Sequence, residues 1–367
     1  MLAALGVEPT GVDGLANPLG LQPVRRACVL LVDGLGWELL GQHSADAPVL
    51  TELAKRAVPL RVGVPATTAA GIAAIGTGVP SGEHGMVGYT FALPEIGVLN
   101  TLGWCTHGDG ERTDLRQRAV PELVQPQRTT FERAEAAGVA TSVLSSAAYA
   151  GSGMTRASLR GGTYVGVHAI GDLAAGVLEA LRPAPSFCYA YHPDLDMLGH
   201  RFGPGSLAWR MQLRQIDRLV ESIVEDLPGD SMLAVVADHG MVAVADDCVD
   251  ADETPALWHG VRALAGEVRM RHVYAEPGVE ADVLAAWRET LGDRAWVLGR
   301  DEAIAQGWFG PRVTDAVRPR IGDVVAAMLG RFGVLRGTAE LIESSLIGHH
   351  GSITSAEQLV PLLVAYG

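Results

Sequence analysis

The segment from Val235 to Met241 places an aspartate and a histidine side by side at the end of an apolar run. Its sequence is V-V-A-D-H-G-M, so Asp238 and His239 directly precede a glycine. Strands of an open α/β sheet end at a crevice where side chains meet ligands. Carboxylate and imidazole groups are ligands that suit a zinc-like ion. The pair is a candidate for half of a metal site. A capping aspartate beside a surface histidine is the alternative when the tripeptide is considered alone.

A second apolar run, from Cys28 to Val32, ends at Asp33 and a glycine. A run that is apolar at every position is typical of a buried parallel strand, which would deliver one carboxylate to its C-terminal edge. Taken singly, Asp33 is better explained as the cap of a helix that begins near Trp37.

Asp196 and His200 follow a third apolar run, from Phe187 to Tyr191. They are four residues apart, so one helical turn brings both onto one face, within reach of a single ion. Asp194 competes for the ligand role, but the spacing to His200 favours Asp196. A solvated loop with incidental acidic residues is the alternative.

Paired histidines lie between glycines near the C-terminus, where His350 directly precedes Gly351. His350 is preferred as a ligand, and His349 is assigned to the surroundings of the site or to the surface. The candidate ligands are then Asp33, Asp196, His200, Asp238, His239 and His350. Six ligands suit two ions with three protein ligands each and open positions. Paired metal ions stabilise the attacking and leaving oxygens of a phosphoryl displacement.

A candidate nucleophile lies between Val64 and Gly78, where Thr67 and Thr68 precede a run of small residues. The run predicts a helix, whose N-terminal N–H groups favour a phosphate or an alkoxide. A threonine hydroxyl becomes nucleophilic when a metal ion coordinates it. An ordinary N-cap threonine is the alternative.

Taken together, these fragments resemble the alkaline phosphatase superfamily, and within it the branch of nucleotide pyrophosphatases and phosphodiesterases. The motifs are V-D-G at the first strand, P-x-x-T followed by T-G-x-P-x-x-x-H-G, D-x-x-G-H-x-x-G-P, A-D-H-G-M, and a late H-G. They occur in this order from about Val29 to His350, so the resemblance covers nearly the whole chain.

The resemblance implies a role for each matching residue. Thr68 corresponds to the nucleophile, and the displacement passes through a phospho-threonine that water then cleaves. Asp33, Asp238 and His239 correspond to the ligands of the metal ion that also holds Thr68. Asp196, His200 and His350 correspond to the ligands of the second ion. The cofactors are two divalent ions, with zinc expected and manganese as the alternative. His84 corresponds to a structural residue.

Two departures from the family pattern affect the assignment. Thr67 stands immediately before Thr68 and contests the nucleophile role, although the spacing from Pro65 favours Thr68. The family places an asparagine soon after His-Gly, where this chain has Tyr89. That phosphate contact is therefore absent, supplied by Tyr89, or supplied by Asn100 from another loop.

Several reactions of the superfamily remain open. No Arg or Lys lies between Thr68 and Tyr89 to neutralise a dianionic monoester, so a diesterase or nucleotide pyrophosphatase is favoured. A phosphomonoesterase and a hydrolase of the phosphonoacetate type are the alternatives. A relative that binds metal without catalysis is the non-enzyme alternative.

Composition restricts the partners. The formal net charge of −14 argues against binding a nucleic-acid polymer, whereas a small phosphoester or nucleotide is compatible with two cations at the site. The four cysteines show neither a metal-binding spacing nor a disulfide framework. Neither a signal peptide nor a membrane-spanning run is recognised, so cytoplasmic residence is expected, with export as the alternative. The oligomeric state stays open.

Apolar runs alternate with helical patterns, which predicts an α/β fold with a largely parallel central sheet and helices on both faces. The predicted core strands are 27–32, 58–62, 140–144, 187–191 and 232–237, with a helix over 207–226. A strand over 267–275, a helix over 279–291 and a strand over 294–298 suggest a small α+β cap, after which 321–327 rejoins the sheet. We therefore expect an alkaline phosphatase-like core over 22–250 plus 320–367, with a cap insertion over 251–319.

Overall fold

The computed structural model describes residues 1–7, 17–108, 110–245 and 247–367. Its centre is a six-stranded sheet in which only the last strand of the chain runs antiparallel to its neighbour. In spatial order the strands are Leu362–Tyr366, Ser231–Val236, Arg26–Val32, Ser186–His192, Ala140–Ser146 and Thr163–Val167. The predicted α/β fold with a largely parallel central sheet is thus confirmed.

Both faces of the central sheet are buried, which explains its uninterrupted apolar strands. In the strand Arg26–Val32, Val29 and Leu31 pack into one hydrophobic cluster, whereas Leu30 and Val32 pack into another on the opposite face. The cluster around Leu30 is covered by the helix Leu207–Glu225, whose apolar residues recur every three or four positions. This helix was predicted over 207–226.

Helices cover both faces of the sheet and connect its strands. The α-helices are Trp37–Gln42, Pro48–Ala54, Thr68–Thr77, Ser81–His84, Pro121–Val124, Thr130–Ala136, Gly153–Ser158, Ile170–Ala180, Asp194–Phe202, Leu207–Glu225, Glu280–Leu291, Arg300–Ala305, Leu341–Ser344 and Ser355–Gln358. Short 3₁₀ turns span Leu2–Leu5, Ser44–Asp46, Ala147–Tyr149, Ala251–Glu253, Pro255–Leu257, Gly292–Arg294 and Arg318–Arg320. Within the ranges given above, no helix combines the length and the apolar character that a bilayer crossing requires.

A second sheet has four antiparallel strands, in the order Val261–Glu267, Met270–Ala275, Val324–Met328 and Ala295–Gly299. The prediction that 321–327 rejoins the central sheet is therefore wrong. Val325 packs towards the main hydrophobic cluster, and Val324 packs into a separate cluster on the other face. A strand buried on both faces has the same apolar pattern in either sheet, so its sequence does not identify its partners.

The strand predicted over 267–275 is in fact the second half of a hairpin. Glu267 pairs with Met270, and the chain reverses at Val268 and Arg269, which carry no turn signal. The guanidinium of Arg269 is fully buried and bonds to Glu357 at 3.0 and 2.7 Å. The local sequence does not predict this turn. The turn is accompanied by a buried ion pair with a residue that lies far away in the sequence.

The prediction of a core strand over 58–62 is also wrong. Only Leu60–Arg61 is extended, and it pairs with Leu359–Val360 in a separate two-stranded sheet. Val58 is 77% exposed, so the apolar run does not correspond to burial. The edge strands Thr163–Val167 and Leu362–Tyr366 were not predicted, because edge strands bury less of their surface.

Small sheets join distant parts of the chain. Val242–Ala243 pairs with Gly348–His349, which carries the C-terminal histidines to the segment that follows Asp238 and His239. Val249–Asp250 pairs with Val334–Leu335. A three-stranded sheet contains Thr90–Leu93, Gly97–Asn100 and Cys105–Thr106.

Candidate two-metal active site

Three neighbouring strands of the central sheet deliver the candidate ligands to one edge. Arg26–Val32 lies between Ser186–His192 and Ser231–Val236, and all three run parallel. Asp33 and Asp238 follow two of these strands, while Asp196 lies in the helix that follows the third. Because parallel strands end at the same edge of the sheet, side chains far apart in sequence converge there.

The first group of side chains surrounds the Nε2 atom of His239. Oδ1 of Asp33 lies 3.3 Å from this nitrogen, and Oδ2 of Asp238 lies 3.7 Å from it. Oγ1 of Thr68 is 3.1 Å from the same nitrogen. All four residues are buried. The structure therefore brings the predicted nucleophile and the three predicted ligands of the first ion together.

The second group consists of Asp196, His200 and His350. Nε2 of His200 lies 3.2 Å from Oδ2 of Asp196, and Nε2 of His350 lies 3.9 Å from Oδ1. One ligand atom of each of these three residues lies within 4.8 Å of the ligand atoms of the other two. This is the predicted set for the second ion, and the geometry allows all three residues to hold one cation.

The two groups are adjacent. The rings of His239 and His350 stack with centroids 3.6 Å apart. Asp196 also lies within 4.8 Å of ligand atoms of Asp33 and His239. A pair of cations held by these residues would therefore be close neighbours, as a two-metal phosphoryl-transfer site requires.

Three carboxylate oxygens in this cluster show that the residues fit cations. Oδ1 of Asp33, Oδ1 of Asp196 and Oδ2 of Asp238 are buried, and none of them has a hydrogen-bond partner within the described part of the chain. A buried carboxylate oxygen without a partner is costly unless a cation or hydrogen bond compensates it. The donor set of carboxylates and imidazoles is one that zinc and manganese accept.

The electrostatics of the protein residues alone indicate the same requirement. Burial and repulsion between the carboxylates raise the pKa values of Asp33 and Asp238. Burial alone would lower the pKa of His239, but Asp238 and Asp33 outweigh it and raise that pKa to about 10. Burial lowers the pKa of His350 well below its usual value, which keeps its imidazole neutral as a metal ligand must be.

Backbone carbonyls fix the orientation of the three imidazoles. Nδ1 of His200 donates to the carbonyl of Gly348 at 2.7 Å, and Nδ1 of His350 donates to that of Ala66 at 3.0 Å. Nδ1 of His239 donates to the carbonyl of Gly240 at 3.0 Å. In each ring Nε2 is then the nitrogen free to coordinate, which is the arrangement usual for metal-binding histidines.

The adjacent threonines point in different directions. Thr68 is the first residue of the helix Thr68–Thr77, and its hydroxyl faces His239. Thr67 instead donates its hydroxyl to Oε2 of Glu267 at 2.7 Å. Of the two, Thr68 is the one in contact with the ligand cluster.

Gly71 lets the helix of the nucleophile approach the cluster. A Cβ atom at this position would lie 2.4 Å from Cβ of Asp238, which is closer than side chains approach one another. The small-residue composition of this helix therefore has a packing reason, and it brings Thr68 and Asp238 to one site.

The other residues singled out in the sequence, Asp194, His349 and His84, belong to neither ligand group. Asp194 has a side chain 49% exposed, and its nearest imidazole is that of His192, 4.0 Å away. Nε2 of His349 donates to the carbonyl of Leu346 at 3.2 Å. Burial lowers the pKa of His84 to about 3, and its Nδ1 accepts from the backbone N–H of Met86 at 3.1 Å.

Tyr89 and Asn100 form one unit near the site. Nδ2 of Asn100 donates to the hydroxyl of Tyr89 at 2.6 Å, and that hydroxyl donates to Oε1 of Glu343 at 3.1 Å. Tyr89 lines a cavity that also reaches Thr68, whereas Asn100 is buried behind it. Their roles as substrate-binding residues stay predictions.

Two residues of the site were not found by sequence reasoning. Tyr191 donates its hydroxyl to Oδ2 of Asp33. Glu267 ends a strand of the second sheet, and its Oε2 lies 3.8 Å from Nδ1 of His350. Tyr191 sits at the end of a predicted strand, which is a usable signal, but Glu267 reaches the site only through the packing of the second sheet.

Two cavities meet at Thr68. The larger, of about 680 Å³, is also lined by His200, His350 and Glu267. The smaller, of about 240 Å³, is also lined by Asp33, Tyr149 and Tyr191. Thr68, Leu102, Asp196 and Met197 border both. A phosphorus atom beside Thr68 would thus have room for one substituent on each side.

Residues 27–353 match the family model of type I phosphodiesterases / nucleotide pyrophosphatases. In sequence, the chain is 32% identical to the catalytic subunit of the human GPI ethanolamine phosphate transferase 3 over 82 residues. That match covers 21% of this chain and only 8% of the length of the human protein.

Solved structures show the same fold. The murine ectonucleotide pyrophosphatase / phosphodiesterase 5 superposes with a TM-score of 0.71 at 15% identity, over 93% of this chain and 88% of that one. An inactive variant of that murine protein, in complex with AMP, gives a TM-score of 0.70 at 15% identity, over 92% and 87% of the two chains. Phosphonoacetate hydrolase from Sinorhizobium meliloti 1021 gives 0.67 at 18% identity, over 93% and 90%.

Proposed function

The chain belongs to the type I phosphodiesterase / nucleotide pyrophosphatase family, and we propose that it hydrolyses phosphodiesters of nucleotides with Thr68 as the nucleophile. The observation that carries the proposal is the position of Thr68. Its hydroxyl lies 3.1 Å from Nε2 of His239, beside three buried carboxylate oxygens that have no hydrogen-bond partner in the described residues.

The site fits two divalent ions. Asp33, Asp238 and His239 would hold one of them together with Thr68, and Asp196, His200 and His350 would hold the other. Zinc suits this ligand set, and manganese is the alternative. When bound, such ions supply positive charge that makes a hydroxyl or a water molecule nucleophilic near neutral pH and stabilises charge on the phosphoryl oxygens.

The protein contributes position and hydrogen bonds. Thr68 begins a helix whose first intrahelical bond runs from the N–H of Gly71 to the carbonyl of Thr67, at 2.9 Å. The N–H groups of Thr68, Ala69 and Ala70 therefore have no acceptor within the helix. They lie at the positive end of the helix dipole, where phosphoryl oxygens bind favourably.

The charge of the site favours a diester over a monoester. A monoester dianion needs additional cations, yet Arg201 is the one Arg or Lys side chain among the described residues that line the two cavities. A diester carries a single negative charge. This difference supports phosphodiesterase activity over phosphomonoesterase activity.

The smaller cavity supports a nucleoside substituent. Tyr149 lines it with 43% of its surface exposed, and the ring of Tyr191 lies 6.4 Å away from the ring of Tyr149. Exposed aromatic faces bind nucleobases by stacking. The complex of the murine relative with AMP supports the same class of substrate. In this proposal the nucleoside stays attached to phosphorus, and the leaving group occupies the larger cavity on the side of His200 and His350.

A hydrolase of the phosphonoacetate type is the second candidate, because phosphonoacetate hydrolase shares the fold over 93% of this chain. Its substrate carries a carboxylate beside the phosphonate. The family model that matches residues 27–353 is that of phosphodiesterases and nucleotide pyrophosphatases. The diester proposal therefore has more support.

The test is a paired assay. Release of nitrophenol from bis(p-nitrophenyl) phosphate is compared with release from p-nitrophenyl phosphate, in wild type, in Thr68→Ala and in Thr67→Val, with and without a chelator. We expect metal-dependent cleavage that favours the diester, is lost in Thr68→Ala and is largely kept in Thr67→Val. Preference for the monoester, or full activity of Thr68→Ala, would refute the proposal.

A further inference from the structure

The two carboxylates of the first ligand group each use one oxygen within the protein. Oδ1 of Asp238 accepts the backbone N–H of Gly34 at 3.3 Å, and Oδ2 of Asp33 accepts the hydroxyl of Tyr191. The other oxygens, Oδ2 of Asp238 and Oδ1 of Asp33, are buried and have no hydrogen-bond partner among the residues that the structure describes. The protein thus determines which oxygen of each carboxylate is available to a cation.

The donor to Asp33 is a side chain that reaches it from the neighbouring strand. Leu31 and Tyr191 are paired in adjacent parallel strands, and both side chains pack into the same hydrophobic cluster. Side chains two residues apart along a strand point to one face, so Asp33 follows Leu31 on this face. The phenol of Tyr191 extends to the end of that strand, where its hydroxyl meets the carboxylate of Asp33.

The ring and the hydroxyl of Tyr191 have different surroundings. The side chain is buried and lines the smaller cavity, where its ring lies 6.4 Å from the ring of Tyr149. The hydroxyl instead bonds to Asp33. The substitution Tyr191→Phe therefore keeps the wall of the cavity and removes only the hydrogen bond to the carboxylate.

We infer that Tyr191 is a positioning residue, whose hydroxyl holds Asp33 so that Oδ1 is the oxygen offered to the ion shared with Thr68. The inference rests on the proposed function, which assigns Asp33 and Thr68 to one ion. Without the hydroxyl, the carboxylate gains rotational freedom about its Cβ–Cγ bond, and Oδ2 is left buried without a donor. Loss of a hydrogen bond that orients a metal ligand typically lowers metal affinity or activity about 10- to 100-fold.

The experiment measures zinc affinity at the two ion sites separately. His200→Ala removes a ligand of the second ion and leaves the first group intact, whereas Asp238→Asn weakens the first group and leaves the second intact. Tyr191→Phe is added to each variant, and zinc dissociation constants of the metal-free proteins are measured by competition with a chromophoric chelator. We expect zinc affinity to fall about tenfold or more in the His200→Ala background and to stay constant in the Asp238→Asn background.

Tyr164→Phe is the matched control in the His200→Ala background. The hydroxyl of Tyr164 donates to the carbonyl of Ser146, and Tyr164 lines neither cavity. Its removal should leave zinc affinity as in His200→Ala alone. In the chain that is otherwise wild type, Tyr191→Phe should lower kcat for bis(p-nitrophenyl) phosphate about tenfold and change KM little, because the ring stays in the cavity wall.

Equal zinc affinity of the first site with and without the hydroxyl of Tyr191 would overturn the inference. An equal loss at both sites, or the same loss in Tyr164→Phe, would indicate a general loss of stability and would overturn it as well. Failure of the proposed function looks different, because zinc binding is measured without substrate. In that case Tyr191→Phe still weakens the first site, but cleavage of the diester does not depend on Thr68.

Discussion

Oγ1 of Thr67 donates a hydrogen bond of 2.7 Å to Oε2 of Glu267, although Thr67 occupies the N-cap of the helix Thr68–Thr77. A threonine at this position ordinarily accepts a hydrogen bond from one of the first helical N–H groups. Here it makes no such bond. Glu267 thus holds the hydroxyl of Thr67 away from the amides that the proposed function assigns to the phosphoryl group.

This relationship predicts the effect of Glu267→Ala. The freed hydroxyl of Thr67 should cap the helix and compete with the substrate, which weakens binding of the phosphate analogue vanadate about fivefold, the effect of a typical N-cap. Adding Thr67→Val removes the competing hydroxyl and should restore binding. Vanadate inhibition constants of both single variants and the double variant check this. A double variant weaker than Glu267→Ala would show that Glu267 acts otherwise.

A second prediction concerns the close packing of Gly71 against Asp238. In Gly71→Ala the new methyl group would lie 2.4 Å from Cβ of Asp238, so the helix or the ligand must shift. Displacements of this size at a reacting centre reduce kcat/KM about tenfold or more. Gly41→Ala is the control, because a Cβ atom at Gly41 has no heavy atom within 4 Å. Equal activity of the two variants would contradict the geometry.

A third prediction concerns metal content. Wild type should bind about two equivalents of zinc or manganese, and His200→Ala about one, because the first ligand group stays intact. Asp194→Asn is the control, since the side chain of Asp194 is half exposed and lies outside both groups. Mass spectrometry of acid-digested protein gives the ratios. Loss of metal in Asp194→Asn, with retention in His200→Ala, would reverse the assignment of ligands.

A fourth prediction concerns stability in acid. Burial raises the pKa of Glu340, but Arg271 and His107 outweigh burial and lower it to about 2. The ionised carboxylate therefore stabilises the fold above its unfolded pKa of 4.5, and this contribution is lost as the pH falls towards 2.

The free energy of unfolding of wild type and of Glu340→Gln should accordingly differ most at neutral pH. The difference should narrow between pH 4.5 and pH 2, which urea titrations measure. Glu289→Gln, an exposed substitution, should show no such trend. If the difference in the free energy of unfolding instead increased in acid, Glu340 would not be stabilised as a carboxylate.

The sequence predicts four of the six strands of the central sheet and the convergence of the candidate ligands at its edge, because both depend on local patterns. An apolar run such as Cys28 to Val32 can be buried only between two layers, and the polar residue at its end must then face the crevice. The strand Arg26–Val32 pairs in parallel with both of its neighbours. This pairing places Asp33 beside the ends of the other two strands.

The second sheet and its contribution to the site were not predictable in the same way. The strand Val324–Met328 is apolar on both faces, so its sequence does not show which sheet it joins. The hairpin turn at Arg269 is accompanied by an ion pair with Glu357, which is distant in sequence. Glu267 enters the site because this sheet packs over Thr67 and His350. Such contacts follow from tertiary packing, which a single sequence pattern does not encode.

The most direct test of the account is to trap the covalent intermediate. The enzyme is acid-quenched during turnover of bis(p-nitrophenyl) phosphate, digested, and fragmented in a mass spectrometer to locate the phosphoryl adduct. We predict a p-nitrophenylphosphoryl group on Thr68 in wild type and in Thr67→Val. An adduct on Thr67, or continued turnover in Thr68→Ala, would contradict the central claim.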